Sequence, residues 1–185
     1  FLFNALNTIS AIIRRDPKRA RELVLSLSRF FRINLKQNTA VVTLKEEIDH
    51  VNAYLAIEKA RFAERLQVAI KCDDAAMSAL LPSFTLQPLV ENAVKHGIAQ
   101  RIEGGHLTLN VRCTTDNHIH ILVEDNAGLY KPKKEQHAGL GMDIVDKRLI
   151  HQFGQQAGLV IECRTNQFTR MSFSIPHTHY HSHQG

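Results

Sequence analysis

Three separated segments carry side chains whose types and spacing could do chemistry. The first is Leu86-Gln-Pro-Leu-Val-Glu-Asn-Ala-Val-Lys-His-Gly97. Placed on a helix, Glu91, Asn92, Lys95 and His96 gather into one polar face beside an apolar face of Leu89, Val90 and Val94. The amide oxygen of Asn92 suits Mg²⁺, a hard cation that prefers oxygen and keeps several waters, and Lys95 could then meet a phosphate. Alone, the segment also reads as an ordinary amphipathic helix. The second segment is Val123-Glu-Asp-Asn-Ala-Gly128, at the end of a predicted strand. Asp125 there could present a carboxylate to an adenine amino group; by itself the stretch is equally a simple Asp-Asn turn. The third is Ala138-Gly-Leu-Gly-Met142, which opens a helix. Two glycines before a helix let the backbone approach a phosphate, and the helix start offers free N–H donors. The spacing matches neither a Walker loop nor a full GxGxxG.

The elements that must position these residues fall into two stretches. Residues 1–65 read as helical. Leu2, Leu6, Ile9, Ile12 and Ile13 recur near helical spacing, as do Leu23, Leu27, Phe30 and Phe31. Asp16-Pro17 is a helix-start signal, and Thr43-Leu-Lys-Glu46 has the form of a capping box ahead of the apolar stripe Ile48, Val51, Leu55 and Phe62. From residue 66 to 185 the texture changes. Alternating runs at residues 66–70, 107–111, 118–123, 159–161 and 171–175 predict half-buried strands, antiparallel in character, with helices over 84–96 and 142–153 between them. The class is α+β, a two-layer α/β sandwich preceded by a helical module.

Composition narrows the function classes. With 44% hydrophobic and 22% charged residues, the chain can bury a real core and is not disordered as a whole. No apolar run reaches the roughly 18–20 residues of a membrane helix. The three cysteines, Cys72, Cys113 and Cys163, are far apart, which favours a reducing, cytoplasmic compartment over a disulfide framework. Residues 1–36 hold eight basic and two acidic side chains, a net +6, so the rest of a chain at +5 sums to −1. No known nucleic-acid reader motif is present in the basic helices, so nucleic acid is not the expected partner. His177, His179, His181 and His183 alternate near the C-terminus and are read as a tail rather than a metal site; His118 and His120 are read as surface residues.

Together and in this order, the three segments resemble the N, G1 and G2 boxes of the nucleotide-binding superfamily that includes histidine kinases, gyrase-type ATPases and Hsp90-type chaperones. The resemblance narrows further. Phe1-Leu-Phe-Asn-Ala-Leu-Asn-Thr-Ile9, Tyr54-Leu-Ala-Ile-Glu-Lys-Ala-Arg-Phe62 and the Leu86–Gly97 segment are similar to stretches of LytS-type sensor histidine kinases, particularly enterobacterial members. It implies ATP and Mg²⁺ as cofactors, with Asn92 on the metal and Lys95 and His96 near phosphates. Asp125 and Gly128 would lie at the base, and Gly139, Leu140, Gly141 and Met142 around the phosphate chain. A lid would run from Leu129 to Ala138, with Lys131, Lys133 and Lys134. The implied partners are a response regulator and a second copy in a homodimer, in a membrane-anchored parent whose anchor lies outside these residues.

Two departures from the family pattern shape the expectations. The family places its phosphoacceptor His immediately before the Phe-Leu-Phe-Asn run, one residue upstream of Phe1, so residues 1–185 are expected not to autophosphorylate there. In the G1 box, Ala127 and Leu129 stand where a fuller pattern has glycines. Gyrase-type ATPases place a water-activating Glu one turn before the metal-binding Asn. Here that position is Pro88, which cannot act as a base, so transfer to a His is favoured over hydrolysis. Glu91 is the one carboxylate beside Asn92, and it is the candidate for polarising the metal shell or the attacking imidazole. The alternative function is a non-catalytic, nucleotide-regulated interaction module of the same fold.

Overall fold

The computed structural model describes residues 1–35, 40–130 and 140–177. Helix α1 (Leu2–Ile12) is followed by α2 (Pro17–Leu35), whose start is capped by Asp16: its Oδ1 accepts the Arg19 amide at 2.8 Å. Strand β1 (Val41–Thr43) runs directly into α3 (Leu44–Phe62). The capping box forms as the sequence predicts, with the Glu46 amide on Thr43 Oγ1 at 3.2 Å and the Thr43 amide on Glu46 Oε2 at 2.8 Å.

Five strands make the main sheet in the order β2-β4-β5-β7-β6: β2 (Leu66–Cys72), β4 (Gly105–Cys113), β5 (His118–Asp125), β7 (Phe168–Pro176) and β6 (Val160–Arg164). The expectation of antiparallel pairing needs one correction. β2 and β4 are parallel, Leu66 opposite Gly105, because the chain between them crosses over through β3 (Leu80–Pro82) and α4 (Leu86–Asn92). A second feature was not anticipated: β3 pairs with β1 in a short antiparallel ribbon, Val41 opposite Pro82. The ribbon sets the start of α3 beside the start of α4. The predicted helix over 84–96 is also shorter. It ends at Asn92 and continues as one π turn, Ala93–Gly97, a wide turn that often marks a functional position.

One sheet face is buried under the helices. Ile119, Ile121, Val123 and Asp125 alternate inward on β5, and Thr169, Met171, Phe173 and Ile175 do so on β7. Helix α5 (Leu140–Phe153) and α4 cover that face. A seven-residue helix is marginal in water. Burial of Leu86, Leu89 and Val90, each worth about 1.5–3 kcal/mol, is what holds α4.

Helix α3 is buried on two faces. Val51 and Leu55 join the main core, while Glu47, His50, Tyr54 and Glu58 form a second, polar stripe that is at most 3% exposed. An aromatic run ties this stripe to its surroundings: Phe1 packs on Phe30 with ring centres 4.7 Å apart, Phe30 on His50 at 5.1 Å, and His50 edge-on to Phe84 at 5.3 Å. The Asn34 amide donates to His50 Nε2 at 3.1 Å, which leaves the ring proton on Nδ1, buried and without an acceptor. Burial pulls the His50 pKa down to about 4, opposed by the nearby Glu91.

His50 is therefore neutral in the folded chain at pH 7. Its contribution to stability is complete above its unfolded pKa near 6.5 and is lost as pH falls from there towards about 4. His50→Gln should flatten the fall of the melting temperature over that window. An unchanged acid limb in the variant would contradict the assignment.

Candidate nucleotide site

Asp125 ends β5 on its buried side and is 1% exposed. Its Oδ1 accepts the amide N–H groups of Ala127 at 2.8 Å and Gly128 at 3.3 Å, the turn chemistry expected of Asp-Asn-Ala-Gly. Thr169 sits directly across the β5–β7 ladder, and its hydroxyl also reaches the carboxylate. The same hydroxyl donates to the Cys163 sulfur at 3.9 Å. Burial raises the Asp125 pKa, opposed by these three hydrogen bonds.

Gly97 packs directly against this carboxylate. A Cβ there would lie 2.9 Å from Asp125 Cγ and Oδ1, closer than real contacts allow. The π turn therefore ends in glycine because a carboxylate occupies the space a side chain would need. Gly128, expected beside the base, packs on the backbone of a neighbouring connection. Its φ is +60°, and a Cβ would strike the Arg164 carbonyl at 2.2 Å. It docks the Asp125 turn onto the β6–β7 connection, where the Asn166 amide donates to its carbonyl at 3.1 Å. Gly128 thus shapes the pocket from behind.

The polar face expected on α4 divides in two. Gln87, Glu91 and Lys95 form one hydrogen-bonded line: Gln87 Nε2 donates to Glu91 Oε1 at 2.7 Å, and Lys95 Nζ pairs with Glu91 Oε2 at 2.6 Å. This line runs beside α3, since Glu91 acts electrostatically on His50, Tyr54 and Glu58. Asn92 turns the other way, onto the sheet, with its Nδ2 3.8 Å from the Met171 sulfur. Met171 is two residues along β7 from Thr169, about 7 Å. Asn92 thus faces the same surface as the Asp125 pocket, whereas Lys95 is held on Glu91. His96 is exposed.

At the other end of α4, Pro88 faces Gly141 and Ile144 of α5 across a cleft of about 290 Å³, lined also by Ser83, Phe84 and Arg148. The Arg148 guanidinium donates to the Ser83 carbonyl at 3.1 Å and ties α5 to the loop before α4. Met142 packs into the core beneath. Gly139, the lid lysines 131, 133 and 134, and the histidines 179, 181 and 183 lie outside the described residues, as does the side chain of Leu140. His118 and His120 take separate partners, the Asp116 carbonyl and the Ser174 hydroxyl.

Sequence reasoning missed Thr169, Gly97 and Glu47. Thr169 becomes visible only through the β5–β7 register, and Gly97 only through the depth of Asp125. Glu47 Oε1 and Oε2 accept the amides of Phe84 and Leu86 at 2.6 and 2.7 Å, from a helix nearly forty residues upstream. Phe84 needs that support, because its φ of +58° is a left-handed conformation costing about 1–2 kcal/mol for a residue with a Cβ.

Gly97→Ala should cost about 1–3 kcal/mol of stability by overpacking. Most of that cost should vanish in an Asp125→Ala background, as read in a double-mutant cycle of denaturant melts. Additive losses would mean that the carboxylate does not fill the space beside Gly97.

Comparison with known proteins follows the same division of the chain. Residues 1–66 match the family model described as "Histidine kinase", and residues 80–179 match "Histidine kinase-, DNA gyrase B-, and HSP90-like ATPase". The sensor histidine kinase BtsS of Escherichia coli (strain K12) is 51% identical over 176 residues, covering 95% of this chain and 31% of that protein. The sensor histidine kinase/phosphatase LytS of Staphylococcus aureus (strain MRSA252) is 38% identical over 183 residues, 91% of this chain and 31% of that protein. The chain thus spans about a third of the length of these curated relatives. Among solved structures, the fold is shared with the histidine kinase domain of the Erythrobacter litoralis EL346 blue-light activated kinase. The TM-score is 0.54 at 18% identity, over 86% of this chain and 75% of that one. The catalytic domain of histidine kinase ThkA gives 0.51 at 19% identity, over 75% of this chain and 96% of that one. A buried Asp at the end of a strand, an Asn-bearing helix over the sheet and a glycine-led helix beyond it are thus joined to a helical histidine-kinase segment: the chain belongs to the histidine kinase-, DNA gyrase B- and HSP90-like ATPase family and, within it, to the LytS-type sensor histidine kinases.

Proposed function

We propose that the chain binds Mg²⁺-ATP between α4 and α5 and passes the γ-phosphoryl group to a histidine imidazole immediately N-terminal to Phe1, within a homodimer. A response regulator then takes the phosphoryl group. The observation that carries this reading is Asp125, a carboxylate buried, among the described residues, beside one hydroxyl and two amides and with no cation among its hydrogen-bond partners. Such a group is an acceptor for the exocyclic amine of adenine, and Thr169 completes the base site. Asn92 would hold Mg²⁺ through its amide oxygen, a fit for a cation that keeps most of its waters and shares phosphate oxygens. Backbone amides of Gly139, Leu140, Gly141 and Met142 would bind the phosphates at the start of α5. Asp125, Asn92 and the Pro88–Gly141 cleft succeed one another along α4 and the π turn that follows it, over about 13 Å, an order that supports a bound nucleotide.

In the transfer, the imidazole nitrogen forms a bond to the γ-phosphorus as the bond to the bridging oxygen breaks, and ADP leaves. The protein mainly positions the partners and offsets charge. Lys95 must leave Glu91 to meet a phosphate, which frees the Glu91 carboxylate to take the imidazole proton; His96 would approach the phosphates from the exposed end. Residues 1–185 then require the preceding histidine for autophosphorylation. Exposed Leu2, Phe3 and Leu6 on α1, Ile13 just after it, and Val24 and Leu25 on α2 support a second copy as the partner of the helical segment. Nucleic acid has no part in this reading. Among the described residues no helix is long and apolar enough to cross a membrane, so contact with the inner membrane would come through other parts of a longer protein, with this chain on the cytoplasmic side.

The test extends the chain by the upstream histidine and supplies Mg²⁺ with γ-labelled ATP. Acid-labile label should appear on that histidine, vanish in its Gln variant and fall at least about a hundredfold in Asp125→Asn, where a donor replaces half of the acceptor. Nucleotide binding without label would contradict the kinase reading and leave the interaction module.

A further inference from the structure

Helix α4 carries Asn92, yet it is poorly provided to hold its own start. Its first residues leave amide N–H groups unpaired within the helix, as every helix does. The local cap position is Thr85, whose hydroxyl is turned back to donate to the Pro82 carbonyl at 2.6 Å and makes no capping bond. The acceptor comes from elsewhere. Glu47, one turn into α3 and 3% exposed, places one carboxylate oxygen on the Phe84 amide and the other on the Leu86 amide, at 2.6 and 2.7 Å. The neighbouring Glu46 is occupied in the capping box of α3 and cannot substitute.

This contact joins the two family segments, since α3 lies within residues 1–66 and α4 within residues 80–179. It also acts where the backbone is least able to hold itself, at the left-handed Phe84, whose ring packs edge-on against His50 of α3. Ser83, Phe84 and Pro88, the residues around this contact, line the cleft opposite Gly141. Elsewhere along the α3–α4 interface the polar groups are poorly matched: His50 Nδ1, Tyr54 Oη and Gln87 Oε1 are buried without hydrogen-bond partners, and Glu58 relies on Arg61 of its own helix. Glu47 is where α3 holds α4 firmly.

We propose that Glu47 is a positioning residue for Mg²⁺-ATP: by holding the Phe84 and Leu86 amides it sets the orientation in which α4 presents Asn92 and Pro88 to the nucleotide. It touches no nucleotide itself, and the proposal rests on the nucleotide site described above. A displacement of α3 would move the start of α4 with it, which gives the helical segment a direct mechanical hold on nucleotide affinity.

The test is calorimetric titration of the chain with Mg²⁺ and a non-hydrolysable ATP analogue, at a temperature where every variant is folded by circular dichroism. Glu47→Gln can offer only one acceptor oxygen and should weaken binding at least tenfold, with faster amide hydrogen exchange at Phe84 and Leu86. Glu47→Asp, which keeps the charge but is shorter, should fall between it and the wild type. Leu23→Ala, in the separate α1–α2–α3 cluster, destabilises without touching α4 and should leave affinity within twofold. Unchanged affinity in Glu47→Gln, or an equal loss in Leu23→Ala, would overturn the positioning role. If Glu47→Gln does not fold, wild-type affinity in Glu47→Asp overturns it instead. Absence of binding by the wild type would overturn the nucleotide reading and this proposal together.

Discussion

A buried carboxylate that meets no cation among the described residues is the constraint on which the rest of this structure depends. Asp125 lies at the inner end of β5, where burial opposes its charge and, among the described residues, Ala127, Gly128 and Thr169 offset that cost. Each neighbour follows from its presence. Gly97 lacks a side chain because the carboxylate occupies that volume, and α4 opens into a π turn just before it. Gly128 takes a positive φ so that the turn can dock on the β6–β7 connection. The pairing of Asp125 with Thr169 fixes the β5–β7 register at the pocket. A hydrophobic residue there would avoid the cost of burying charge, and a polar acceptor held at that cost supports the proposed binding role of Asp125.

The second organising feature is how closely the helical segment is bound to the sheet domain. The β1–β3 ribbon, the Glu47 contact and the aromatic run from Phe1 to Phe84 all converge on the few residues before α4. Phosphoryl transfer depends mainly on placing a nucleophile in line with a phosphate. A rigid joint at the base of α4 suits that demand. The unsatisfied polar atoms further along α3 make the same interface less tightly specified away from the joint.

Much of this was legible in the sequence where the governing interaction is local. The Asp16 and Thr43–Glu46 caps form as read, because each involves residues three apart. Strands β5 and β7 follow their alternation because one face is buried and the other is not. Long-range terms were not legible. The parallel β2–β4 pair depends on a crossover, and the three-residue β1 and β3 are too short to show a period. The spacing of Glu47, His50, Tyr54 and Glu58 looks like the solvent face of an amphipathic helix, yet α3 is covered on that side too. On α4 the polar residues were visible, but their separation into a Gln87–Glu91–Lys95 line and an inward Asn92 came from packing against α3 and β7.

The proposed recognition of the adenine exocyclic amine by the Asp125 carboxylate is open to one direct comparison. Calorimetric titration would set a non-hydrolysable Mg²⁺-ATP analogue against its inosine counterpart, which carries a carbonyl where adenine carries the amine. The adenine form should bind and the inosine form should lose at least about a hundredfold in affinity, since a buried carboxylate would then face an oxygen. Equal affinity for the two would contradict it.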